Sequence, residues 1–171
     1  MKRKIFLPLV LSVFVSVFLL VGCSMANTPT SKVENLFTKY QKVDDDIVIG
    51  IENILAEQNL TTPHKERYKK LLEKQYQNLS YEIKDELIDG DNATVLVEIE
   101  VMDYKKAVND LVFDSSIYTK ETYDEEKLNR LEEAKDKVKY TLELTLAKDS
   151  NDEWKLNALT NEQIKKIQGM Y

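Results

Sequence analysis

Residues 81–101 read YEIKDELIDGDNATVLVEIEV, and this stretch decides the fold. Residues 89–92 (DGDN) have the composition of a tight turn. After them, Val95, Val97 and Ile99 alternate with mostly polar side chains, which is the period of two of a half-buried strand. The residues before the turn also have strand character. The stretch therefore predicts an antiparallel β-hairpin with one apolar face.

A second hairpin is predicted near the C-terminus. Residues 138–146 again alternate apolar and polar side chains. Residues 149–152 have the composition of a turn, and a strand starting at Trp154 follows. Thr160 and Gln163 then have the spacing of a capping box that opens a short last helix. Two hairpins in one chain imply an antiparallel sheet.

The remaining segments have helical periodicity. Apolar residues recur at steps of three and four over residues 31–57, which predicts one long amphipathic helix opened by a capping box of Ser31 and Glu34. A second helix starts at Thr62-Pro63, and charged residues 124–137 predict another between the hairpins. Helices on one face of an antiparallel sheet make an α+β domain.

The N-terminus has the layout of an exported lipoprotein. Residues 2–4 (KRK) precede an apolar run over residues 5–21, and residues 20–23 read LVGC. This tetrapeptide resembles the bacterial lipobox. The resemblance implies cleavage between Gly22 and Cys23 and a diacylglyceryl lipid on Cys23, which would hold the chain to the extracytoplasmic face of the cell membrane. The alternatives are an uncleaved anchor, a signal peptide cut elsewhere and a buried helix, although no other part of the chain would cover so apolar a segment.

Three parts of the chain follow from this pattern: a signal peptide over residues 1–22, a lipidated tether over residues 23–30 and one domain over residues 31–171. Cys23 is the only cysteine, so acylation leaves no disulfide to stabilise the domain. The net charge is −6 and would fall to about −9 on loss of the three basic residues of the signal. Such an acidic chain is a poor match for nucleic acid.

Some of these features resemble a known family. The hairpin with the turn motif DGDNA over residues 89–93 and the closing strand Trp154-Lys155-Leu156 are similar to NTF2-like (cystatin-like) domains of uncharacterised Gram-positive lipoproteins. The resemblance covers roughly residues 31–168 and implies a curved antiparallel sheet wrapped around a long helix, a cone with a pocket. The long charged segment between the hairpins departs from that pattern and puts closure of the cone in question.

Five residues are candidates for lining such a pocket: Glu98, Glu100, Tyr104, Tyr140 and Trp154. Each also has an ordinary structural explanation. Glutamates that alternate along a half-buried strand usually face outward, and tyrosines and tryptophan at core spacing usually pack. The pocket is therefore a hypothesis that depends on the cone being open.

The sequence indicates no metal, no cofactor and no catalytic centre. The only histidine, His64, falls in the first turn of the second helix, where we expect it to be solvated. Asp44-Asp45-Asp46 fits a solvated helix face. A calcium loop starting at Asp89 would lack the glycine at position six. One histidine and one acylated cysteine cannot supply a usual zinc site.

We therefore expect a membrane-anchored, non-enzymatic lipoprotein whose domain binds an envelope protein partner. One alternative is a domain that binds a small molecule in the cone, which would require a cavity with a few polar groups. Another is an enzyme of the isomerase or dehydratase type, which would require a buried carboxylate facing a tyrosine.

Overall fold

The computed structural model describes residues 27–171, so the predicted signal peptide and Cys23 lie outside the described residues. Among residues 27–171, no helix is long and apolar enough to cross a membrane. In chain order the elements are α1 (Pro29–Lys42), α2 (Asp45–Glu57), α3 (Thr62–Gln77), β1 (Ser80–Asp89), β2 (Asn92–Met102), α4 (Tyr104–Ala107), α5 (Lys120–Glu133), β3 (Lys137–Lys148), β4 (Trp154–Leu156) and α6 (Asn161–Ile167).

Both predicted hairpins are confirmed, and so is the α+β class. The four strands form one antiparallel sheet in the order β1-β2-β3-β4. Gly90 in the first turn has a φ of 58°, a conformation that glycine adopts without the steric cost of a side chain. A bulge interrupts the pairing of β1 with β2 between Ile83 and Asp85.

The main core lies between one face of this sheet and α1, α2 and α3. The alternating positions of β2 that were predicted to be apolar, Val95, Val97, Ile99 and Val101, are at most 2% exposed. Facing side chains come from the helices and from β3, and they include Val33, Phe37, Ile51, Leu72, Leu142, Leu144 and Leu146. Burial of this apolar surface is the main favourable contribution to folding.

The prediction of one helix over residues 31–57 is wrong, because the chain breaks at Val43. Val43 has a φ of 50°, which ends α1 in the left-handed region. The Asp44 carboxylate then caps α2 by accepting a hydrogen bond from the Ile47 N–H. Two more aspartates follow in the first turn of α2, where the helix dipole favours negative charge. The aspartate run is therefore a helix start.

The predicted capping box of Ser31 and Glu34 is also wrong. Thr28 caps α1, since its side chain accepts a hydrogen bond from the Ser31 N–H at 3.1 Å, and Pro29 occupies the first turn. The periodicity was correct, but the cap lies three residues earlier. The ordered domain therefore already includes residues 27–30.

The other helix boundaries differ from the predictions by less. Helix α3 begins at Thr62, with Thr61 as its N-cap. Helix α5 begins at Lys120, four residues before the predicted start, because Thr119 and Thr122 form a capping box. The predicted capping box of α6 is confirmed.

One buried amide joins α3 to the end of β2. Gln75 is 1% exposed; its Nε2 donates to the Met102 carbonyl at 3.0 Å, and its Oε1 accepts from the Met102 N–H at 3.1 Å. Gly169, which follows α6, lies against the same junction, and its φ of 69° is in the left-handed region that favours glycine. A Cβ at Gly169 would overlap the Met102 carbonyl oxygen. The Gly169 carbonyl accepts a hydrogen bond from the Lys105 N–H.

This junction makes a stability prediction. Gln75→Leu replaces the amide by an apolar side chain of similar size and leaves the N–H and C=O of Met102 without their partner. Each unpaired buried group costs about 1–3 kcal/mol. We expect the free energy of unfolding in denaturant to fall by about 2–5 kcal/mol. The matched control is Gln77→Leu, since Gln77 is an exposed residue of the same helix. Equal unfolding midpoints for the two variants would contradict the role of Gln75.

Candidate functional site

The segment between the two hairpins, residues 103–136, is called the insert below. The two ends of the insert lie side by side at the end of the sheet, where the Asp103 N–H donates to the Asp136 carbonyl at 2.8 Å. The Asp103 carboxylate caps α4 by accepting from the Lys106 N–H. Helix α4 ends at Ala107 and is one turn long. The insert is thus an addition at one end of the sheet.

A second hydrophobic core holds the insert against α3. Leu71 of α3 packs with Leu128 and Leu131 of α5 and with Tyr104 of α4, and all four are at most 5% exposed. Burial raises the pKa of Tyr104 to about 12, so its phenol stays protonated at neutral pH. Helix α3 therefore contributes to two cores, since the adjacent Leu72 belongs to the main core.

A polar cluster lies beside this second core and is called the α3–α5 cluster. Arg67 donates from Nε and Nη2 to both carboxylate oxygens of Glu132, from Nη1 to Glu125 and from Nη2 to Asn129, each at 2.8 Å. The His64 Nε2 lies 3.0 Å from the other carboxylate oxygen of Glu125. Bidentate arginine–carboxylate pairs combine charge with fixed geometry. The cluster therefore sets how α5 lies on α3.

The positive charge of Arg67 in this cluster is paired with the carboxylates of Glu125 and Glu132. The hydrogen bond from Arg67 lowers the pKa of Glu125 and that of Glu132, and these carboxylates in turn raise the pKa of Arg67. Every nitrogen of the Arg67 guanidinium group donates to α5. Because four of its five N–H groups are used in this way, Arg67 serves to hold α5 on α3.

The prediction that His64 is solvated is wrong, since the residue is 6% exposed. Its Nδ1 is buried and has no hydrogen-bond partner among the described residues. Glu125 accepts, so Nε2 carries the proton in their contact. A signal for this cluster existed in the sequence: His64 and Arg67 are three residues apart, and Glu125, Asn129 and Glu132 recur at four and three.

The connection between α4 and α5 exposes a group of apolar side chains. Val112 is 73% exposed, Phe113 50% and Ile117 70%. The Phe113 ring meets the Tyr123 ring edge-on at 5.4 Å between centroids, and Tyr118 meets Tyr123 from another side at 5.8 Å. We call residues 112–118 the apolar loop. Neighbouring apolar side chains left in water are a common mark of a protein-binding surface.

An open groove of about 810 Å³ lies between α4 and the C-terminal part of α5. Its lining carries both signs of charge. Lys106 pairs with Asp136, and Arg130 pairs with Asp110, each at 2.8 Å. The paired charges and the open shape suit recognition of a polar surface. They do not suit chemistry that needs a desolvated reacting group.

Two of the five predicted pocket residues lie on the face of the sheet turned away from the helices. Glu98 pairs with Lys139 and Glu100 with Lys137, each at 2.8 Å across β2 and β3. These hydrogen bonds lower the pKa of both glutamates. A shallow depression of about 170 Å³ touches both glutamates, but they serve as cross-strand ion pairs.

The other three predicted pocket residues lie elsewhere. Tyr104 is buried in the second core, and Trp154 is 5% exposed in the main core beneath the Lys148 ammonium group. Tyr140 pairs with Ile99 at the start of β3, and its hydroxyl donates to the Tyr171 carbonyl at 3.1 Å. The structure thus does not gather the five into one cavity.

Within residues 27–171, no group of three or more histidine, cysteine, aspartate or glutamate side chains is placed to hold a metal ion. The polar residues buried in this part of the chain are His64, Gln75 and Gln168. No aspartate or glutamate is buried with them. The insert, with its exposed apolar loop and charged groove, is therefore the candidate functional site.

The α3–α5 cluster makes a prediction that depends on pH. Arg67→Met should speed amide hydrogen exchange in α5 at pH 7 and leave β2 unchanged. Because Arg67 lowers the pKa of Glu125 and Glu132 below the ordinary 4.5, the cluster contributes stability above that pH and loses it as the pH falls through the lowered values. The difference in exchange between variant and wild type should therefore shrink at pH 3.

The matched control is Lys70→Met, which removes one positive charge from the exposed side of the same helix. Its α5 amides should exchange like those of the wild type at both pH values. Equal exchange in Arg67→Met and Lys70→Met at pH 7 would show that the second core alone holds α5.

Comparison with known proteins gives no relative. No protein-family model matches the chain, and neither a curated protein nor a solved structure is significantly similar to it. The inference about function therefore depends on the residues and geometry described above.

Proposed function

We propose that this chain is an exported bacterial lipoprotein, held by lipid on Cys23, whose NTF2-like α+β domain has no catalytic role and binds a protein partner of the cell envelope. The insert is the proposed binding surface. The observation that carries this proposal is the exposed apolar loop, where three apolar side chains within six residues, Val112, Phe113 and Ile117, stand in water.

Support for the lipid anchor comes from the sequence alone. A basic start, an apolar run and residues 20–23 (LVGC) stand in the order of a lipoprotein signal. A diacylglyceryl group has two acyl chains, and two chains hold a protein to a bilayer far more firmly than one. The anchor would keep an acidic domain at a membrane surface that does not attract it.

Support for the NTF2-like assignment is the order of elements: helices, hairpin, insert, hairpin, short helix. The sheet face that packs on the helices, where a cone pocket would lie, is filled by side chains such as Phe37, Leu72 and Ile99, each at most 1% exposed. This filling favours a protein partner at the surface over a small molecule in the interior.

Support for a non-catalytic role comes from the polar residues. The charged groups of the α3–α5 cluster and of the groove are paired with one another. An isomerase-type site would need a buried carboxylate facing a tyrosine, and the described residues include no buried aspartate or glutamate. The apolar loop therefore offers the better supported activity, which is binding.

The binding surface can be tested by cross-linking in the bacterium that makes the protein. A photo-reactive amino acid at Ser115, an exposed position of the apolar loop, should give a defined cross-linked product with an envelope protein. The product should be lost when Phe113→Ser and Ile117→Ser are added, because apolar contacts at the centre of an interface carry much of its energy. Exposed substitutions of this kind change stability by about 0.5 kcal/mol or less.

The control is Ile49→Ser, which removes an apolar side chain of similar exposure (60%) from α2 and should leave the product intact. Failure to obtain a product from Ser115, or its persistence after the two loop substitutions, would overturn the assignment of the insert as the binding surface.

The anchor is tested separately. Cys23→Ala removes the only thiol and should shift the protein from the membrane fraction to the medium or the soluble envelope fraction. Ser24→Ala keeps the thiol and should stay in the membrane fraction with an added lipid mass. If the Cys23→Ala protein is processed and still retained at the membrane, the lipid anchor is refuted.

A further inference from the structure

We infer that the anchor presents the domain end-on, with its hairpin turns facing the bilayer and its insert facing away. This inference rests on the proposed lipid at Cys23 and adds to it the surface that meets the lipid headgroups. The surface, called the hairpin end, consists of the first turn (residues 87–92), the second turn (residues 149–153) and Asn27.

The beginning of the described chain is tied to the hairpin end. The Asn27 Nδ2 donates to the Asp152 carbonyl, and the Asn27 Oδ1 accepts from the Trp154 N–H, each at 3.0 Å. The Asn27 side-chain amide therefore bonds two backbone groups at the second turn and the start of β4. Three residues later, the Thr30 N–H and hydroxyl both donate to the Glu86 carboxylate of β1, at 2.8 and 2.7 Å.

The two turns lie together. The Lys148 N–H, just before the second turn, donates to the Asp91 carbonyl of the first turn at 2.9 Å. Asn92, the first residue of β2, is paired with Ala147 near the end of β3. The start of α1 and both hairpin turns therefore occupy one end of the sheet.

The length of chain before Asn27 limits how far this end can lie from the lipid. Cys23 and Asn27 are four residues apart, and a fully extended chain spans at most about 3.6 Å per residue. Asn27 can therefore be no more than about 14 Å from the acylated cysteine. This limit holds whatever conformation the intervening residues adopt.

The insert leaves and rejoins the sheet at the opposite end. Strand β2 starts at Asn92 in the hairpin end and finishes at Met102, directly before the insert. At about 3.4 Å per residue, its eleven residues span roughly 35 Å. The anchor point is therefore at one end of this strand, and the Asp103–Asp136 junction, where the insert begins and ends, is at the other.

Net charge does not hold the domain flat on the bilayer. The sequence outside the signal has an acidic excess, which gives the domain no net electrostatic attraction to lipid headgroups. At the hairpin end itself, Leu87 is 68% and Ile88 51% exposed, but Asp89 and Asp91 stand next to them in the turn. The aspartates resist entry into the hydrocarbon, so this end meets the lipid at the level of the headgroups.

The orientation can be measured by energy transfer, because a single acylated cysteine leaves any introduced cysteine uniquely reactive. The protein is purified from host membranes, its lipid mass is confirmed, and it is reconstituted in phosphatidylcholine vesicles that carry acceptor dye on their headgroups. Donor dye is attached at Leu87→Cys in the hairpin end or at Lys135→Cys in the insert, next to the Asp136 carbonyl that accepts from the Asp103 N–H. Both side chains are exposed, and neither belongs to a core.

We expect transfer from Leu87→Cys to be several-fold greater than from Lys135→Cys. Equal or reversed transfer in a protein that carries the lipid would overturn the orientation and leave the anchor standing. Absence of the lipid mass would overturn the anchor and the orientation together. Both cysteines lie on exposed side chains, so each labelled protein can be compared with the wild type by its unfolding midpoint before the measurement.

Discussion

The arrangement of this domain depends on the hydrogen-bonded amide of Gln75 at the end of β2. The strand stops pairing in the main sheet at Met102, and a buried backbone N–H and C=O there need partners. Gln75 supplies both, and Gly169 lets the C-terminal backbone approach the same carbonyl. Because the insert starts at the next residue, this junction fixes where the chain leaves the sheet.

A second side-chain amide serves the same purpose at the other end of the sheet. Asn27 bonds the carbonyl of Asp152 and the N–H of Trp154, as Gln75 bonds both backbone groups of Met102. In both places an amide, which carries a donor and an acceptor, stands where a strand has no neighbour. The two ends of the sheet are thus closed by residues distant in sequence, and these contacts separate the chain start from the insert.

The sequence allowed the local part of this structure to be predicted. Alternation along β2 and β3, the DGDN turn and the capping box of α6 are encoded within a few residues, and all are confirmed. The break at Val43 was missed because apolar periodicity continues through it, while the cap of Asp44 interrupts the backbone. The buried state of His64 was missed because it depends on α5, about 60 residues later.

The candidate site was hard to predict for the same reason. Glu98 and Glu100 have carboxylates on neighbouring positions of a strand, but lysines of β3 pair with them once the register is set. These two charged side chains find partners in the fold, whereas Val112, Phe113 and Ile117 stay in water. Exposed apolar area costs free energy that a binding partner can recover, and in the apolar loop three such side chains lie within six residues.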